Sequence, residues 1–132
     1  MLQPHIRVPF IIDDIYGGFA KASGLLRIES DALLLEFQVQ ENLFGGLMKG
    51  KPKVFRIPIT ALDSVEFKKT WFNSKLIIRV MRLRDLDGVP GAQEGEAKLK
   101  IRKQDRERAK EIASQVSIRL SEIRLSQMDD LE

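Results

Sequence analysis

Apolar and polar positions alternate along most of the first hundred residues and predict a β-rich body. Successive side chains of a strand point to opposite faces, so such alternation indicates strands with one buried face. The first segment alternates Ile6, Val8, Phe10 and Ile12, and Pro9 within it predicts a sheet edge. Six further strands are predicted at residues 19–28, 33–39, 55–59, 65–67, 76–80 and 97–101. The short link at 29–31 predicts an antiparallel hairpin.

The period changes near the C-terminus and predicts one helix. Residues 106–124 contain neither Gly nor Pro, and their apolar positions recur at helical spacing. The predicted apolar stripe consists of Ala109, Ile112, Ala113, Val116, Leu120 and Ile123. Asp105 is the predicted N-cap, with its carboxylate accepting a backbone N–H of the first turn. We expect the stripe to dock on the β-rich body, because a lone helix of this length is marginal in water.

The connections between these elements are too short to be domain linkers. Residues 13–18 form a short acidic link, residues 85–95 a polar loop, and residues 41–52 a loop that combines three glycines with apolar side chains. A chain of 132 residues matches the usual size of one domain. We therefore predict a single domain over residues 1–126, followed by a frayed acidic tail at 127–132.

Seven short strands followed by one helix correspond to the α+β class with mainly β content. Three stretches carry a closer resemblance: 33–37 (LLLEF), then 55–59 (FRIPI) leading into 62–67 (LDSVEF), and the helix after Asp105. On these stretches the chain resembles pleckstrin-homology-like domains, in the version found in small bacterial proteins of unassigned function. The resemblance implies an antiparallel barrel or sandwich of about seven strands capped by the C-terminal helix, and a binding role without catalysis.

Catalytic chemistry has little support in the sequence. Cysteine is absent and the single histidine, His5, lies near the start of the chain, so thiolate catalysis is excluded and no nucleophile–base pair is evident. Neither a metal site nor a cofactor motif is predicted, and no small-molecule substrate is evident. We expect a protein that is not an enzyme.

Positive charge is concentrated in the middle of the chain. Residues 49–84 contain ten Lys and Arg against Asp63 and Glu66, whereas the rest of the chain has twelve basic and seventeen acidic residues. This distribution predicts either an anionic partner or complementary contact between copies. The candidate anion-binding residues are Lys49, Lys51, Lys53, Lys68, Lys69, Trp71, Phe72 and Lys75.

The two aromatic residues of that set leave two interpretations open. Trp71 and Phe72 could lie at a membrane surface, or stack on bases, while the lysines contact phosphates. The interpretation we favour is that both rings fold back into the core and the lysines decorate a hairpin, because aromatic side chains are usually buried in part.

An apolar loop between charged neighbours is a second candidate surface. Its partner-binding residues are Leu43, Phe44, Leu47 and Met48. With the edge strand predicted at Pro9, this loop favours a module that binds protein, including a second copy of itself. The alternative is a peripheral membrane module that binds anionic head groups weakly. Tight phosphoinositide binding is not expected at the acidic links 13–18 or 29–31, and nucleic acid is not a favoured partner.

The cellular location is predicted from what the chain lacks. The first ten residues do not have the pattern of a secretory signal, and the longest apolar runs are far below the ~20 residues that a bilayer span requires. The sequence therefore predicts a cytoplasmic protein, with a possible peripheral position at the membrane.

Overall fold

Eight antiparallel strands and one long helix make up the protein. The computed structural model describes residues 6–43 and 46–129, without the side chains of residues 14, 42, 43 and 46–48. The elements in chain order are β1 (Arg7–Ile15), β2 (Ala20–Glu29), β3 (Ala32–Leu43), β4 (Gly46–Lys49), β5 (Lys53–Pro58), β6 (Leu62–Lys69), β7 (Ser74–Val80), β8 (Glu96–Ile101) and α1 (Arg106–Asp129). The predicted α+β class with mainly antiparallel β content and a C-terminal helix is confirmed.

The strands form one sheet in the order β4-β3-β2-β1-β8-β7-β6. The long strand β3 pairs with β5 along residues 32–37 and with β4 along residues 40–43, so these two short strands lie end to end beside it. Within the described residues β5 and β6 do not pair, which leaves the sheet open between them. Helix α1 packs on β6 and on the 3-10 turn Ile59–Ala61 that links β5 to β6.

The helix contributes its apolar stripe to the core, as predicted. Ala109, Ile112, Ala113, Val116 and Leu120 are buried, and Ile123 packs partly buried against the same core. The sheet supplies the rest of this core from its inner face, with Phe10, Leu26, Leu33, Leu35, Ile57, Leu76, Ile78 and Leu99 almost completely buried. Because buried apolar side chains contribute about 1.5–3 kcal/mol each, α1 is an integral part of the body.

The position of Pro9 corrects one sequence prediction. Pro9 lies in β1, which is placed between β2 and β8, so the predicted sheet edge is wrong. The reason is the uneven pairing of β1. This strand follows β2 along its length but bridges β8 only at Ile11 and Lys100. A residue without an N–H is tolerated where the ladder on one side is this short.

Two predicted loops contain more structure than expected. The segment 41–52 includes the end of β3 and all of β4, which pair as antiparallel strands. The segment 85–95 buries Leu86 and Val89, so it is not uniformly polar. Helix α1 continues to Asp129 and therefore includes the first residues of the predicted tail at 127–132.

The helix start differs from the prediction in its chemistry. Asp105 precedes α1 and is only 3% exposed, yet its carboxylate accepts a hydrogen bond from the Arg108 guanidinium one turn later instead of from a backbone N–H. Arg108 also donates to the backbone oxygen of Arg7 at 3.1 Å. The beginning of the helix is therefore tied to the beginning of β1 through side chains.

Candidate functional site

The turn between β6 and β7 is held in one conformation by its own hydrogen bonds. The Thr70 N–H donates to the Asn73 carbonyl at 2.7 Å, and the Thr70 hydroxyl donates to the same oxygen at 2.9 Å. The Asn73 N–H donates back to the Thr70 hydroxyl at 3.1 Å. These bonds place Trp71 and Phe72 at the apex of the turn. We call residues 69–73 the hairpin tip.

Both aromatic rings of the hairpin tip are in contact with solvent. Trp71 is 90% exposed and Phe72 is 84% exposed, and their ring centroids lie 6.5 Å apart in an edge-to-face arrangement. The expectation that these rings fold back into the core is wrong. The last paired residues are Lys69 and Ser74, so the two aromatics extend beyond the sheet, where no second layer covers them.

Cationic side chains surround the two rings. An open groove of about 650 Å³ is lined by Lys69, Thr70, Trp71, Phe72, Lys103 and Arg106. Lys68, Lys69 and Lys103 are exposed. None of them forms an ion pair with any carboxylate of residues 6–43 or 46–129 whose position is described. The nearby acid Asp105 is buried against Arg108 and does not neutralise them.

Cations on the outer face of the sheet are arranged differently. Arg79 lies between Glu66 and Glu96, with a nitrogen–oxygen distance of 3.0 Å to each, and these hydrogen bonds raise the pKa of its guanidinium. Arg27 likewise pairs with Glu36 at 2.9 Å and with Glu29 at 3.3 Å. These two guanidinium groups are already paired with carboxylates and therefore offer little to an anionic ligand.

The predicted anion-binding residues are divided among three places. Lys69, Trp71 and Phe72 line the groove at the hairpin tip, and Lys68 precedes it on β6. Lys75 lines a polar cavity of about 470 Å³ with Asp13 and Lys100. The remaining residues, Lys49, Lys51 and Lys53, line a groove of about 370 Å³ beside β3. The structure therefore does not bring the eight candidate residues together in one place, and their binding of an anion stays a prediction.

The structure adds Lys103 and Arg106 to the hairpin tip. Sequence reasoning missed both residues because they are thirty positions away along the chain. The pairing of Ser74 with Ile101 explains their place, since a residue that follows β8 must lie beside the start of β7. The sequence signal that could have identified them is a basic segment directly after β8, the strand that pairs with β7.

The candidate partner loop lies outside what the structure describes. Phe44 is not described, and for Leu43, Leu47 and Met48 only the backbone is described, in β3 and β4. The prediction that this loop binds a partner therefore stays a prediction.

Neither a metal site nor a membrane-spanning helix is present in the part of the chain that the structure describes. In the described ranges no cluster of His, Cys, Asp and Glu is placed to ligate a metal. No helix among them has the length and apolarity to cross a bilayer. Comparisons of the chain with protein-family models, with curated proteins and with solved structures give no match, so the resemblance to pleckstrin-homology-like domains stays a prediction.

Proposed function

We propose that the protein is a non-enzymatic module that binds anionic membrane surfaces through the hairpin tip. The observation that carries this proposal is the pair of exposed rings, Trp71 and Phe72, on a hydrogen-bonded turn. Each ring gains about 1.5–3 kcal/mol when it leaves water. Because the turn is already ordered, little conformational entropy is lost on docking. Tryptophan is also the side chain most suited to the boundary between head groups and acyl chains.

Charge at the hairpin tip favours an anionic surface over a neutral one. Lys69, Lys103 and Arg106 line the same groove as the two rings, so basic and apolar groups meet a membrane together. A basic residue close to an anionic leaflet contributes about 1 kcal/mol. The burial of the two rings and the attraction of the basic residues to the anionic leaflet thus both favour binding at the hairpin tip. Because the second contribution is electrostatic, binding weakens as the salt concentration increases.

The intrinsic fluorescence of the protein gives a direct test, because Trp71 is the only tryptophan. Phosphatidylcholine vesicles with and without phosphatidylglycerol are titrated into the protein at low and high salt. We expect a blue shift of Trp71 emission with the anionic vesicles, quenching by brominated acyl chains, and reversal by salt. Emission that is unchanged by anionic vesicles would contradict the proposal. A change produced by single-stranded oligonucleotide alone would instead support base stacking.

A second candidate function is protein binding, including self-association, and one feature of α1 favours it. Ile118 is 57% exposed and Leu125 is 62% exposed. They are two helical turns apart, on the side opposite the buried stripe that contains Val116 and Leu120. Apolar residues in line on a solvent-facing helix surface are typical of helix-mediated contacts.

Light scattering over a range of concentrations tests self-association. We expect a mass greater than one chain at micromolar concentration. If α1 makes the contact, Ile118→Asp with Leu125→Asp shifts the mass toward the monomer. If the predicted partner loop at 41–52 makes the contact, Phe44→Asp with Leu47→Asp shifts the mass toward the monomer instead. A mass of one chain at every concentration would end the idea that the protein associates with itself.

A further inference from the structure

We infer that the groove beside β3, called here the lysine groove, binds a small amphipathic monoanion with an apolar body and a single carboxylate. The groove has a volume of about 370 Å³ and lies at the ends of β1 and β3. Apolar side chains of Ile15, Phe37 and Val39 line it together with Lys49, Lys51 and Lys53. It shares no lining residue with the hairpin tip, so this inference is independent of the proposed membrane function.

The walls of the lysine groove are fixed by backbone contacts. Phe37 and Val39 are two residues apart on β3 and therefore point to the same side of the strand. The Gly50 N–H donates to the Val39 carbonyl at 2.7 Å, which holds the start of the segment between β4 and β5 against β3. On the opposite side, a Cβ on Gly88 would lie 2.5 Å from the Phe55 ring. Only glycine lets the 85–95 loop approach this closely, so the groove is preformed.

The volume sets the size of the ligand. If each non-hydrogen atom takes about the 30 Å³ of a liquid water molecule, the groove holds about a dozen such atoms. This volume is at the lower end of the range for small-molecule sites, and a position at the mouth of a β-rich body is one where such sites are common. A medium-length acyl chain or one substituted ring fits, and a polymer does not fit as a whole.

The charged residues that line the lysine groove indicate which net charge a ligand should carry. The three lysines are exposed, and Glu41 and Asp87 also line the groove. No ion pair joins these lysines to either carboxylate in the described structure. Among the lining residues that the structure describes, three ammonium groups against two carboxylates leave one net positive charge. That balance attracts a monoanion and disfavours a polyphosphate, which both acids would repel.

Amide chemical shifts of the full chain, labelled with ¹⁵N, test the inference with octanoate as the probe. We expect saturable shifts at Tyr16, Val39 and Lys51, and none at Trp71. Octylammonium, which has the same chain with the opposite charge, should bind more weakly. Equal or tighter binding of octylammonium would overturn the inference, as would shifts centred on the hairpin tip. Larger shifts from an acidic peptide than from octanoate would overturn it too, and would assign the groove to a protein partner.

Paired variants separate the lysine groove from general charge effects. Lys51→Met and Lys53→Met keep the length of the side chain and remove its charge, and both positions are exposed, so folding should be retained. Each should weaken octanoate binding by about twofold to fivefold. The matched control is Lys21→Met, an exposed lysine on β2 outside the groove, which should leave the affinity unchanged. Equal losses in all three variants, or none in the first two, would contradict the inference.

Discussion

Two apolar surfaces of this protein differ in their exposure to solvent. The inner face of α1 places Ile112 and Val116 at zero exposure, where the helix packs on β6 and on the turn Ile59–Ala61. The hairpin tip places Trp71 and Phe72 almost entirely in solvent. The inner face contributes to stability because folding removes it from water. The hairpin tip gains nothing from folding, so its apolar area is available only to a partner.

The difference arises from what lies next to each surface. Helix α1 packs on β6 and on the turn Ile59–Ala61, and its buried side chains cover part of the core that the sheet would otherwise expose. The turn at 70–73 extends past its sheet, its own hydrogen bonds order its backbone, and both rings lie in solvent. Rings that lie in solvent on an ordered turn indicate a surface shaped for contact, whereas apolar residues at a helical period indicate packing.

The largest effect should come from a charge placed on the inner face of α1. Ile112→Asp puts a carboxylate where the side chain is fully buried and removes its apolar contacts. We expect the free energy of unfolding to fall by at least about 3 kcal/mol, because the new charge would be buried within the apolar core. Urea unfolding followed by circular dichroism measures this change.

The same helix offers a matched control for that prediction. Ile118→Asp introduces an identical charge at a side chain that is 57% exposed, on the opposite side of α1. The free energy of unfolding should change by less than about 0.5 kcal/mol. Similar losses from both substitutions would mean that the helix does not dock through the Ile112 stripe.

The next largest effect should be a loss of membrane binding without a loss of stability. Trp71→Ala and Phe72→Ala each remove a ring that folding leaves in water. Each should weaken co-sedimentation with anionic vesicles by about tenfold or more, and the double variant more strongly. The thermal midpoint should not change. Phe19→Ala is the control for Phe72→Ala, because Phe19 is 70% exposed in a different turn. Equal effects of these two changes would argue against the hairpin tip as the docking surface.

The regular elements were predictable because their patterns are local. Alternation marked seven of the eight strands, and the helical stripe that begins at Ala109 identified the residues of α1 that are buried. The strand that was missed, β4, is four residues long and has glycines on either side of its apolar core. Pro9 was misread because the extent of pairing on each side of β1 depends on distant strands and leaves no mark in the local sequence.

The candidate site was only partly predictable because it depends on exposure and on distant residues. Composition identified Trp71 beside lysines, but exposure is decided by whether a neighbouring layer exists, and a general preference for burial gave the wrong answer. The contribution of Lys103 and Arg106 follows from the pairing of β7 with β8. The separation of Lys49, Lys51 and Lys53 from the hairpin tip is likewise a property of the folded sheet.

Charge at the hairpin tip should have an intermediate effect. Lys69→Met and Lys103→Met each remove a cation that faces no described carboxylate, so each should weaken binding to anionic vesicles by about fivefold at low salt. The control is Lys98→Met, because Lys98 is 60% exposed but lies 3.7 Å from Glu96 on the sheet. Its removal should leave vesicle binding unchanged. If all three variants lose affinity equally, the whole surface attracts the membrane and the hairpin tip has no special role.

The smallest effect concerns a paired charge on the sheet, the contact between Asp13 and Lys100. The Lys100 ammonium donates to Asp13 at 2.7 Å and holds the pKa of that carboxyl below its usual value. A lowered pKa in the folded state means that this contact stabilises the protein above the pKa of the unfolded chain, and that the contribution disappears as pH falls through the folded value. The Asp13 side chain is 55% exposed, so solvent screening limits the contribution to less than about 1 kcal/mol.

Asp13→Asn should therefore lower the thermal midpoint slightly at pH 7. The difference from wild type should shrink as pH falls below about 4, because the wild-type carboxylate is then increasingly protonated. In a Lys100→Met background the same substitution should cost less, since the hydrogen bond that contributes most to the lowered pKa is gone and only the backbone hydrogen bond and the charge of Lys75 remain. Asp13→Asn alone should change vesicle affinity little, because neither Asp13 nor Lys100 lines the groove that contains Trp71 and Phe72. A midpoint difference that persists below the folded pKa of Asp13, or that is undiminished by the loss of Lys100, would show that Asp13 stabilises the fold by another contact.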